Sequence, residues 1–90
     1  MKDNKLELKD LKIEFPNEEI VRNIEGLHTV KVELKERHIY LEYYVEYFRL
    51  IEKFVAYDLN MQHVEFCSYE DVKLIIEEDA LNDIKKLLNK

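Results

Sequence analysis

From Glu42 to Asn60, small or polar residues recur at Glu42, Glu46, Arg49, Glu52/Lys53, Ala56 and Asn60, and apart from Asp58 everything between them is Tyr, Phe, Leu, Ile or Val. A step of three to four residues is that of a helix, so a helix here would carry a narrow polar stripe and a wide apolar face. Period 3.6 places Tyr44, Phe48, Ile51, Val55 and Leu59 in one stripe, while period two can be followed through Tyr43, Val45 and Tyr47. Strands longer than about ten residues are uncommon, and no turn-forming residue interrupts the run before Asp58. The favoured reading is therefore a strand ending near Tyr43 and a helix over 44–59. The competing reading is one long twisted strand followed by a second at Phe54–Leu59.

The flanking segments are simpler. Leu6 and Leu8, then Leu11, Ile13 and Phe15, alternate with Lys and Asp. That predicts an N-terminal strand with a bulge or tight reversal at Lys9–Asp10. Asn17 precedes two acids and the apolar Ile20, Val21 and Ile24, with Gly26 placed to end the helix, so two turns of helix are expected from Glu18. Val30, Val32 and Leu34 then alternate with Lys31, Glu33 and Lys35 as a half-buried strand does. Lys35–His38 separates it from Ile39-Tyr40-Leu41, which predicts a hairpin near Glu36–Arg37. Gln62–Cys67 alternates again as a strand, and Ser68 with Asp71 three residues on caps a helix carrying Val72, Ile75, Ile76, Ala80, Ile84, Leu87 and Leu88. A strand through Val72, Leu74 and Ile76, with Asp79 capping a shorter helix, is the alternative for that segment.

Ninety residues suit one domain spanning 1–90, and a hydrophobic fraction of 47% is ample for a core despite the 38% of charged residues. With one Gly and one Pro, tight turns are expected to fall back on Asn, Asp or ordinary type I geometry, and a glycine-rich phosphate loop is excluded. A net charge of −6 disfavours direct nucleic-acid binding and anionic membrane surfaces. The single cysteine, the charged N-terminal segment and the lack of an apolar run near 20 residues make a cytoplasmic setting the expectation.

No residue pattern defines a catalytic or cofactor site. His63, Glu65 and Cys67 alternate on one strand and could offer imidazole, carboxylate and thiol to a metal. Ligands two apart along a strand are about 6.5–7 Å apart, too wide for one ion, so no metal site is assigned. Cys67 with His28, His38 or His63 lacks any orienting third group, and its thiol reads as a small buried hydrophobe. Tyrosines at 40, 43, 44, 47 and 57 beside Phe48 and Phe54 exceed what a small core needs, and tyrosine is enriched where a partner desolvates a surface. Glu77, Glu78, Asp79 and Asp83 add a dense acidic patch. The candidate partner interface is therefore Tyr40, Tyr44, Tyr47, Phe48, Glu77, Glu78, Asp79 and Asp83.

These readings combine into an α+β fold: a short antiparallel sheet with a central hairpin, packed by an aromatic central helix and a C-terminal amphipathic helix. The expected role is that of a small acidic, non-enzymatic interaction module, a regulator or inhibitor of a larger protein with a basic surface, completed by homodimerisation. In size and charge alone it resembles host-directed viral inhibitors, antitoxins and immunity proteins. The alternative is a small-molecule or metal-binding domain with a pocket near His63 and Glu65.

Overall fold

A computed structural model of the chain describes residues 6–89, leaving aside the side chains of residues 63–65. Its elements are β1 (Lys12–Glu14), α1 (Glu18–Asn23), β2 (His28–Leu34), β3 (Ile39–Phe48), β4 (Lys53–Tyr57), β5 (His63–Cys67) and α2 (Tyr69–Leu88). The strands form one antiparallel sheet in chain order, so the architecture is α+β.

Local chemistry explains most boundaries. The Asn17 side chain accepts hydrogen bonds from the Glu19 and Ile20 N–H groups at 2.8 and 3.3 Å, starting α1 as expected. Gly26 follows at φ 107°, a conformation that costs little only without a Cβ. At the N-terminus the expected strand is shorter than the alternation suggests. Leu8–Asp10 form a turn of 3₁₀ helix, with the Asp10 carboxylate accepting from the Glu7 N–H at 2.9 Å, which leaves Lys12–Glu14 to pair with β2. Ser68 caps α2 by accepting from the Asp71 N–H at 3.1 Å, and the helix runs unbroken past Asp79.

The helix expected over 44–59 is absent. Tyr44–Phe48 continue β3 and Lys53–Tyr57 form β4, paired through Tyr44↔Tyr57, Val45↔Ala56 and Tyr47↔Phe54. The turn between them, Arg49–Glu52, holds none of the usual turn residues. It closes with the Glu52 N–H donating to the Arg49 carbonyl at 3.3 Å while Glu52 adopts φ 54°. His38 and Met61 take φ 57° and 64° in the other two hairpin connections. Positive φ thus falls on side chains that carry a penalty of roughly 1 kcal/mol each, rather than on Asn or Asp.

One face of the sheet carries Val30, Val32, Leu34, Tyr43, Val45, Phe54, Ala56 and Cys67, all buried. α2 lies across it with Tyr69, Val72, Ile76, Ala80 and Ile84, a stripe repeating every three or four residues. Truncating Ile76, 1% exposed, to Ala would remove about 2–5 kcal/mol. Two tethers fix α2 in place. The Tyr69 hydroxyl donates to the Pro16 carbonyl, joining the start of α2 to the segment before α1. The Tyr43 hydroxyl donates to the Asp83 carboxylate at 2.7 Å, joining the C-terminal half of α2 to β3.

Candidate functional site

Strand alternation sends Tyr40, Glu42, Tyr44, Glu46 and Phe48 of β3 to the face opposite α2. Beside them stand Lys31 and Glu33 of β2, Lys53, Val55 and Tyr57 of β4, and Phe66 of β5. The β1–β2 half of this face is charged and the β3–β5 half aromatic. The aromatic half is partly self-satisfied: Phe48 meets Phe66 edge-on with centroids 5.3 Å apart, and Val55 is 0% exposed although no helix covers it. Tyr40 and Tyr44 hydroxyls donate to Glu42 at 2.8 and 3.2 Å, and the Tyr57 hydroxyl donates to Glu46 at 2.6 Å. Burial and then the Glu46 bond push the Tyr57 hydroxyl up to about 12. Both carboxylates are thereby held among rings.

Of the expected interface aromatics, Tyr40, Tyr44 and Phe48 share this outer face. Tyr47 does not. It points to the inner side, half-buried, with its ring 4.7 Å from Phe54 and the Arg22 guanidinium 5.0 Å above it. The supposed helical stripe is dispersed: Tyr44, Phe48 and Val55 meet as strand neighbours, whereas Ile51 sits in the β3–β4 turn and Leu59 in the β4–β5 connection.

On α2, Asp79 and Asp83 stand one turn apart on one flank of the buried stripe. Glu78 faces outward, and Glu77 lies on the other flank. Asp83 accepts the Tyr43 hydroxyl, whose own ionisation is pushed far up by burial and by that bond. The Asp79 carboxyl is raised, first by partial burial and then by the charges of Asp83, Asp58 and Glu78. Asp58, in the β4–β5 connection, also accepts the Asn60 and Gln62 N–H groups at 2.9 Å each. The structure thus draws Asp58 into the acidic surface and leaves Glu77 aside. Nothing in the sequence spacing announces Asp58, because its place depends on the sheet folding under α2.

A third feature lies between α1 and the end of β3. A half-open cleft of about 680 Å³ has Val21, Arg22, Glu25 and Gly26 on one side and Glu46–Ile51 on the other. Arg22 is fully engaged: Nε and one Nη donate to Glu18 at 3.2 and 3.0 Å, the other Nη donates to the Tyr47 hydroxyl at 3.2 Å, and the guanidinium lies 5.1 Å from the Phe54 ring. At the lip, Leu50 is 100% and Ile51 49% exposed. Ile24 and Leu27, which bracket Glu25–Gly26 in the chain, are also exposed.

The proposed metal constellation falls largely outside the described residues, since it needs the side chains of His63 and Glu65. Cys67 itself is buried on the inner face opposite Phe54. Among the described residues no three metal-ligating side chains come together. The His28 ring nitrogen Nε2 hydrogen-bonds the Ile24 carbonyl at 2.6 Å, bracing the loop from α1 into β2. No described helix is long and apolar enough to cross a membrane. No family model matches the chain, nor does any characterised protein or solved structure.

Proposed function

We propose that this chain is a small, acidic, non-enzymatic interaction protein, acting as a regulator or inhibitor by docking its acidic surface on a basic region of a larger protein. The observation that carries this reading is the convergence of Asp58, Glu78, Asp79 and Asp83 from two separate elements. Partial burial first, and then the charges of Asp83, Asp58 and Glu78, raise the Asp79 carboxyl from its ordinary value. Like charges gathered at this cost are relieved by a cationic partner, which both screens them and gains their combined field. The aromatic outer face, with Tyr40 52% exposed, offers such a partner an adjoining place for apolar and cation–π contact. A cytoplasmic setting goes with the reading, one cysteine being too few for an internal disulfide.

The test is affinity capture from lysate on immobilised wild-type chain beside the charge-neutralised variant Glu78→Gln/Asp79→Asn. A basic protein held by the wild type in about 0.5 M salt, where diffuse attraction is screened within a few ångströms, and released by the variant supports the reading. Equal retention by both chains overturns it.

A further inference from the structure

The β3–β4 turn is unusual chemistry for a hairpin tip: it keeps Leu50 wholly in water and Ile51 half-exposed, on a backbone that places Glu52 at φ 54°. A Gly or Asn would relieve the backbone and a polar tip would relieve the exposure. The tip also forms one lip of the 680 Å³ cleft, whose walls include the apolar Val21, Tyr47 and Phe48. Such a volume is within the range that encloses a drug-sized apolar group, ample for the two aliphatic side chains of a hairpin tip. Four charged residues line the cleft: Arg22 is paired with Glu18 and Glu46 accepts the Tyr57 hydroxyl, while Arg49 and Glu25 have no ion-pair partner among the described residues.

An apolar knob, an apolar hollow and charges of both signs left without an ion pair, all on one patch, are what a twofold contact requires, since in such an interface residue i meets j while j meets i. We propose that two copies of this chain associate here, each Leu50–Ile51 tip entering the other's cleft and each Arg49 facing Glu25 of the second copy. A ligand of one charge would leave the opposite charge of the rim unanswered, whereas a second copy pairs both. The contact uses none of Asp58, Glu78, Asp79 or Asp83, so it stands or falls separately from the acidic docking surface.

Sedimentation equilibrium of the full chain across a wide concentration range tests this. A reversible monomer–dimer equilibrium is expected, and Leu50→Asp should weaken it roughly tenfold or more, each dimer losing two buried leucines. The variant's far-UV dichroism and melting as a monomer should match the wild type, because Leu50 makes no contact that the monomer could lose. Arg49→Glu and Glu25→Arg should each weaken the dimer, and the double reversal should restore it. A monomer at every concentration, a dimer indifferent to Leu50→Asp, or a double reversal no tighter than the single ones would overturn the proposal.

Discussion

Tyr43 is 0% exposed, and its hydroxyl reaches the Asp83 carboxylate at 2.7 Å, so Tyr43→Phe removes one hydrogen bond without altering the packed ring. A hydrogen bond to a charged acceptor contributes about 1.5–3 kcal/mol when its partner cannot turn elsewhere. Asp83 is only half-buried and regains part of that from water, which places the loss near the lower bound, about 1.5 kcal/mol. For a domain of this size that is a fall in Tm on the order of 6–12 °C, readable by dichroism or calorimetry. Asp83→Ala should cost at least as much, since it strands the hydroxyl in the interior. In the double variant most of the second loss should vanish, giving a coupling energy of about 1 kcal/mol. Additive losses, with coupling inside the usual scatter of about 0.3–0.5 kcal/mol, would refute the idea that this bond ties α2 to the sheet.

Other consequences are read the same way. Gly26→Ala meets no atom within 4 Å, so its cost of about 1 kcal/mol in chemical unfolding should come from φ 107° alone. Val55→Ala should lower stability by about 1.5–2.5 kcal/mol, as for a core residue, although Val55 lies on the face without a helix. Ser68→Ala should remove about 1 kcal/mol and fray the start of α2 in amide exchange. Asp79 sits above its unfolded value, so ionising it opposes folding. Its cost is fully present above the raised folded value and fades as pH falls toward the unfolded one. Asp79→Asn should therefore raise Tm at neutral pH, and the gain should disappear on acidification; a gain that grows at low pH contradicts the assigned cause.

Elements whose cause is local were legible in the sequence: the Asn17 and Ser68 caps, the alternation of Val30, Val32 and Leu34, and the polar break at Lys35–His38. The 44–59 segment was not, for two physical reasons. Its strands are apolar on both faces, Tyr43, Val45 and Phe54 packing under α2 while Phe48, Val55 and Phe66 cluster on the other side, which erases period two. Its turn is made by Arg49, Leu50, Ile51 and Glu52, with positive φ on a glutamate, so no residue marks the reversal. The same misreading conceals the cleft, because a helical stripe through Ile51 leaves no hairpin tip to form its lip. The acidic flank was half visible: Asp79 and Asp83 follow from helical spacing, but Asp58 joins them only through tertiary contact.

The proposed acidic docking surface is localised to Asp58, Glu78, Asp79 and Asp83. Titrating a lysine-rich peptide into the isotopically labelled chain, with amide shifts followed residue by residue, tests it most directly. Shifts confined to the β4–β5 connection and the middle turns of α2, and abolished in Glu78→Gln/Asp79→Asn, are predicted. Shifts spread evenly over distant acids such as Glu7, Glu14 and Glu36 would mean diffuse attraction to a protein of net charge −6 and would contradict it.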